Sequence, residues 1–403
     1  MESHLEQSNR KITLSWASFV SKKKLIVIWP YRFRDFDWQR FELEYLTQHV
    51  EVHVHELIDA LTPDFAAAYA NQSEHPSVRR FSSLKEWRRE FKKISKDAII
   101  FTHVRPTNLR STLISFTLRR ANPRTVGFLL GGAVVPGSID LSSRRAFESN
   151  LKRLYHFFRR NLLAVVMPRY VAIAGTEAEQ RALRDFSRNT RPIRVGSFDY
   201  SQFLLAQKPV DSAHESAVYL DTGFPGFPRD EVLTGRTELI SAKDWYPNLD
   251  RFFTFVESVL ECRVDIAVHP KHVGRDHSPL FGSRNCLGGQ TTKLVSEQKL
   301  VIATNSTAIS FAVCFDKPLI LVWSDLIESG VDARKKSFIE NFATETGAKI
   351  FNIDREYTEQ ELRDALVIDH AKRESYKRKY LTSRTDGKPN YQVLLDEVIN
   401  AAD

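Results

Sequence analysis

Asp265-Ile266-Ala267-Val268-His269-Pro270-Lys271 and, further on, Leu300-Val301-Ile302-Ala303-Thr304-Asn305-Ser306-Thr307 decide the reading of this chain. Each is a short aliphatic run that ends abruptly in residues able to hydrogen-bond, with amphipathic segments between and after. That alternation of strand and helix periods predicts parallel α/β units. In open parallel sheets ligands bind in the crevice outside the carboxyl ends of the strands, and both polar clusters fall there. Proline after His269 ends its strand and bars the histidine from helical backbone angles, which fixes the imidazole at the crevice rim.

Working outward, further strands are expected at 217–220 and 318–322, with helices at 249–260, 306–315 and 334–345. A similar series precedes them, with strands at 25–28, 50–55, 98–101, 125–130 and 170–174 and a first crossover helix over 36–46. The polar stretch 204–215, which contains Pro209, reads as the linker. A chain of 403 residues exceeds the size of one hydrophobic core. The expectation is two Rossmann-like α/β domains, 1–208 and 209–403, facing across a cleft.

With 42% hydrophobic and 27% charged residues, the composition excludes wholesale disorder and a membrane-embedded body. No run approaches the ~20 apolar residues of a spanning helix, so a cytoplasmic location is expected. Cys262, Cys286 and Cys314 are scattered and show no metal-ligand spacing. The net charge of +8 implies attraction to polyanions. Nucleic acid is disfavoured as the partner, because no aromatic residues are set into a basic sheet. The basic, apolar-striped stretch 151–169 reads first as a packed helix with a solvated basic face, since a periodic apolar stripe is usually core, and also suits peripheral contact with an anionic inner-membrane surface. The basic run at 372–384 reads as a solvated terminal helix.

His269 and Lys271 can donate to phosphoryl oxygens and offset the charge on a departing nucleotide. In the second cluster Asn305 or Ser306 can cap a helix whose free N–H groups, with the hydroxyls of Ser306 and Thr307, meet a phosphate. Two anion-suited strand ends in one domain point to a nucleotide site. Asp221, which follows the strand at 217–220, places a carboxylate at the same crevice; a strand-end Asp also serves simply to cap the next turn. Arg105, after the strand at 98–101, is a bidentate donor suited to an acceptor or a sugar carboxylate. The loop Gly131-Gly132-Ala133-Val134-Val135-Pro136-Gly137 lacks the GxGxxG spacing and reads as turn glycines. There is neither a DxD pair at a strand end nor a His/Asp cluster with ligand spacing, so no metal and no cofactor is expected.

As a set, His269-Pro270, Gly289-Gln290-Thr291, Asn305-Ser306-Thr307-Ala308 and Asp316-Lys317-Pro318-Leu319 resemble the nucleotide-binding half of bacterial CMP-sugar glycosyltransferases with HP and Ser/Thr motifs. Sialyltransferases and Kdo transferases of capsule and lipopolysaccharide assembly belong there. Val218-Tyr219-Leu220-Asp221 and the following Phe224-Pro225-Gly226-Phe227-Pro228-Arg229-Asp230 are similar to the retaining β-Kdo transferases. Gly196-Ser197-Phe198-Asp199-Tyr200 is similar to their interdomain segment. The resemblance covers the last half of the chain. Where those relatives often show His-Pro-Asp, this chain has Pro228-Arg229-Asp230 after Phe227.

The resemblance implies a GT-B fold and a metal-independent retaining enzyme that moves Kdo from CMP-Kdo to a glycan or lipid-linked glycan of O-antigen or capsule. It implies CMP contacts from His269, Pro270, Lys271, Gln290, Thr291, Asn305, Ser306 and Thr307. Asp221 is then the nucleophile, with His269 also catalytic and Glu148 assisting the acceptor. Retention needs two inversions, hence a glycosyl-enzyme intermediate. The rivals on the same scaffold are an inverting sialyltransferase, a CDP-glycerol glycerophosphotransferase and a non-catalytic carbohydrate-binding relative.

Overall fold

The computed structural model describes residues 22–63, 74–106, 108–121, 124–130, 166–206, 216–223, 241–269, 276–328 and 333–401. The N-terminal sheet holds β1 (Lys24–Trp29), β2 (Glu51–Glu56), β3 (Val78–Arg80), β4 (Ile99–Thr102), β5 (Thr125–Leu129), β6 (Tyr170–Ala174) and β7 (Arg191–Val195). The C-terminal sheet holds β8 (Ala217–Leu220), β9 (Val264–Val268), β10 (Cys286–Gly288), β11 (Leu300–Ala303), β12 (Leu319–Trp323) and β13 (Lys349–Asn352). Their orders are β3-β2-β1-β4-β5-β6-β7 and β10-β9-β8-β11-β12-β13. All strand pairs are parallel. Both sheets are therefore doubly wound, each reversing direction where its first strand meets its fourth.

The period-2 alternation of β1 distributes its side chains to two cores. Leu25, Val27 and Trp29 pack with Val52, Val54 and Phe101 on one face. Ile26 and Ile28 pack with Ile100 and with Trp87 and Phe91, the latter two on the helix Leu84–Ile94. In the C-terminal sheet β8, β11 and β12 are buried along their whole length. The helix Ala242–Leu260 lays Trp245, Leu249, Phe252, Phe253 and Val256 against them at helical spacing. Among the described residues no helix is long and apolar enough to cross a membrane.

Two features depart from the expectations above. The crossover after β1 is not one helix over 36–46 but two, Asp35–Arg40 and Leu43–Leu46, broken at Glu42 with φ 55°. The left-handed turn is held by the buried Glu42 carboxylate, which accepts the backbone N–H of Tyr391 at 2.8 Å. The second departure explains the first. The chain does not stay with the C-terminal half to its end: Val393, Leu394, Leu395, Val398 and Ile399 complete the core of the N-terminal sheet. The return passes over Gly175, whose φ of +73° and close approach to the backbone of Lys379 leave no room for a side chain. It is then fixed by Asn390, whose side-chain amide accepts from the Gly196 N–H at 2.7 Å and donates to the Gly196 carbonyl at 3.0 Å.

Candidate functional site at the interdomain cleft

The strand order of the C-terminal sheet reverses between β8 and β11, and a cleft of about 1130 Å³ opens there between the two domains. One wall carries Asp221, His269, Thr291, Ser306 and Thr307; the other carries Arg34, Gln39, Arg40, Asp199 and Gln202.

Asp221 directly follows β8 and is 5% exposed. One carboxylate oxygen accepts the Gly223 N–H at 2.8 Å and the other accepts the His269 N–H at 3.2 Å. The carboxylate thus ties the end of β8 to the end of β9 while facing the cleft. Across the sheet reversal the hydroxyls of Thr222 and the buried Thr304 meet at 3.3 Å, linking the ends of β8 and β11.

The Thr304–Thr307 turn differs from a simple helix cap. The helix runs over Ile309–Cys314, and the N–H groups of Ile309, Ser310 and Phe311 are already taken by the carbonyls of Ser306, Thr307 and Ala308. The Ser306 hydroxyl accepts the Ala308 N–H at 3.3 Å, and Asn305 accepts the Thr304 hydroxyl at 3.3 Å rather than capping. Three i→i+3 bonds therefore tighten the entry and use the N–H groups expected for a phosphate. What the turn offers the cleft is Ser306 and Thr307 themselves.

Of the other residues singled out from sequence, Thr291 lines the cleft at the start of the helix Thr291–Glu297. Gln290 lines an adjoining groove of about 1520 Å³, with Gln39, Tyr45, Gln202 and Lys293. Arg105 is exposed at the end of β4, with its guanidinium 3.5 Å from the Phe128 carbonyl, and is not among the residues lining the cleft. Glu148, Pro270, Lys271, the 131–137 loop, the 224–230 block and most of 151–169 lie outside the described residues. Among the described residues no group of three His, Cys, Asp or Glu side chains gathers.

The residues on the facing wall follow no strand-end motif. The Arg34 guanidinium sits 4.2 Å over the Phe36 ring and the Arg40 guanidinium 4.5 Å over the Phe198 ring. Asp37, 1% exposed, accepts the Arg34 N–H at 3.0 Å, and burial lifts its pKa to about 6 against the charge of Arg34. Asp199 stands in the first turn of the helix Phe198–Leu205, which Ser197 caps through the Tyr200 N–H at 3.1 Å. Burial lifts the Asp199 pKa to about 6, opposed by the Arg40 charge and a hydrogen bond from the Ser310 hydroxyl. The signal for Asp199 was present in the Gly196–Tyr200 segment, but nothing in the sequence says which way that helix faces.

No family model matches the chain, and no curated protein matches it in sequence. Solved structures do. The wall teichoic acid polymerase TagF, in a His-to-Ala variant, superposes with a TM-score of 0.53 at 12% identity, over 94% of this chain and 88% of that one. TagF without that change gives 0.53 at 12% identity, over 94% and 89%. A UDP-GlcNAc 2-epimerase from Methanocaldococcus jannaschii, solved with UDP-GlcNAc and UDP, gives 0.47 at 13% identity, over 92% and 98%. At such identities the TagF likeness is one of fold: two parallel-sheet α/β domains facing across a cleft, the GT-B architecture.

Proposed function

We propose that this chain is a glycosyltransferase that moves Kdo from CMP-Kdo to a saccharide acceptor of a bacterial surface polysaccharide, with retention of configuration. One observation carries the reading: Asp221, His269, Ser306 and Thr307, drawn from three strand ends, converge on one wall of the cleft at the switch point of the C-terminal sheet. His269, Ser306 and Thr307 hold the CMP phosphate; the Asp221 carboxylate, aimed by its two backbone hydrogen bonds, attacks the anomeric carbon as CMP departs. A ulosonic donor brings its own carboxylate beside that carbon, so a second anion approaches against repulsion. Arg34 and Arg40 on the opposite wall offset it. The adjoining groove, with its glutamines and Tyr45, gives the acceptor a polar path to the cleft.

The fold likeness to TagF favours a second reading, transfer of a glycerophosphate unit from CDP-glycerol. Incubation with CMP-Kdo, CMP-sialic acid and CDP-glycerol separately distinguishes the two. The proposal requires CMP release from CMP-Kdo and a product of retained anomeric configuration by NMR. A product that gains a glycerophosphate mass establishes the second reading, and an inverted Kdo or sialic acid product rules out the Asp221 nucleophile.

A further inference from the structure

We propose that the Asp199 carboxylate, rather than Glu148, is the base that takes the proton of the acceptor hydroxyl; this rests on the transfer reaction proposed above. Asp199 lies on the N-terminal wall of the cleft, facing the wall that holds Asp221 and His269. Its position is fixed by the returning C-terminal segment. Ser197 caps its helix, the Ser197 N–H donates to the Leu381 carbonyl at 2.6 Å, and Ser201 one turn on accepts the buried Asn390 N–H at 2.7 Å. Among the described residues a serine hydroxyl is the hydrogen-bond donor to this carboxylate, and at a solvent-accessible cleft it has lone pairs left for a substrate proton.

Its surroundings suit that role. Ser310, fully buried on the facing helix, donates to it. Arg40, stacked on Phe198 from the helix Asp35–Arg40, supplies the nearby positive charge and makes no ion pair among the described residues. The other titratable groups packed near it are Cys314, on the helix Ile309–Cys314, and Tyr376, on the helix His370–Tyr376. Burial and the Asp199 charge push both well above their ordinary values, so both stay neutral through the working range. With its own pKa at about 6, Asp199 is ionised at neutral pH and still basic enough to share a proton in the transition state.

In the second half-reaction the acceptor oxygen bonds to the anomeric carbon while its proton passes to Asp199. The bond from that carbon to Asp221 breaks and restores the Asp221 carboxylate; Asp199 then loses the proton to water.

The test is Asp199→Asn, with Ser310→Ala, Arg40→Gln, His269→Ala and Glu148→Gln beside it. With CMP-Kdo alone, Asp199→Asn should release one equivalent of CMP and carry a glycosyl adduct by intact-protein mass, as wild type does. Added acceptor should then clear the adduct about 10²–10⁴-fold more slowly than in wild type. The acid limb of transfer near pH 6 should vanish in Asp199→Asn. It should move to higher pH in Ser310→Ala and Arg40→Gln, since each loses a group that favours the ionised carboxylate, and should persist in His269→Ala. A merely structural role moves none of these limbs. Transfer at the wild-type rate in Asp199→Asn, or loss of the limb in Glu148→Gln instead, overturns the assignment alone. Absence of CMP release from wild type overturns the transfer reading and this assignment together.

Discussion

Replacing Asp221 by Asn separates the structural work of this residue from its chemical work. The wild-type carboxylate accepts one backbone N–H on each oxygen, from Gly223 at 2.8 Å and His269 at 3.2 Å. Asparagine has the same shape but one acceptor oxygen, so one of those N–H groups must face an NH₂ donor. Hydrogen bonds to a charged acceptor contribute about 1.5–3 kcal/mol, and an orphaned buried donor costs about 1–3 kcal/mol. The loss should therefore be about 2–3 kcal/mol, most simply at the longer His269 bond. For a domain of this size that is a fall of roughly 4–12 °C in Tm. Thermal unfolding followed by circular dichroism reads this directly. Transfer should fall much further, by about a thousandfold or more, because no stability loss of that size empties the folded state and the nucleophile is gone. A control with a similar stability loss away from the cleft, Phe253→Leu in the core of the same domain, should keep most of its activity. Unchanged unfolding in Asp221→Asn would refute the two-hydrogen-bond account; transfer within tenfold of wild type, with no adduct in the parent enzyme, would refute the nucleophile.

The remaining predictions are shorter. His269→Ala keeps the backbone N–H to Asp221 and removes only the imidazole, so calorimetry should show CMP binding weakened about 10–100-fold if the ring contacts the phosphate; unchanged affinity removes His269 from the site. Transfer should survive EDTA, on the sequence argument that no DxD pair stands at a strand end, Asp35-Phe36-Asp37 lying instead in the helix Asp35–Arg40, and loss restored by magnesium or manganese contradicts that. His55 is 2% exposed against Phe81, and burial, with the charges of His53 and Arg79 adding to it, lowers its pKa to about 3. Its folded pKa lies below the unfolded value of 6.5, so this stability is complete above about pH 6.5 and is lost as pH falls toward 3. By pH 5 the loss is about 2 kcal/mol, and His55→Leu should flatten the pH 7-to-5 difference in urea unfolding by that amount; an unaltered slope counts against it. Gly175→Ala should destabilise by about 2 kcal/mol or more through its positive φ and the Lys379 backbone, and a neutral effect on Tm would mean the C-terminal return does not pack there.

The central strands of both sheets could be read from sequence, because a parallel strand covered on both faces must be apolar along its whole length, as β8, β11 and β12 are. The strands that went unread are β3, β7, β10 and β13, which are the four sheet edges. An edge needs only partial cover, so Val78–Arg80 carries two arginines and Arg191–Val195 contains Pro192, and neither gives an apolar run. One wall of the cleft was legible for a similar reason: Asp221, His269, Ser306 and Thr307 each follow a recognisable strand, and the parallel fold brings strand ends together whatever else the chain does. The other wall was not. Arg40 and Asp199 belong to short helices, and Arg34 immediately precedes one, whose facing depends on how the domains pack, and the break at Glu42 depends on the N–H of Tyr391, 349 residues away. Local periodicity encodes which residues are buried in a strand or helix. Contacts between distant segments, which set the facing wall and return the C-terminus to the first core, leave no period to read and are decided only when the chain folds.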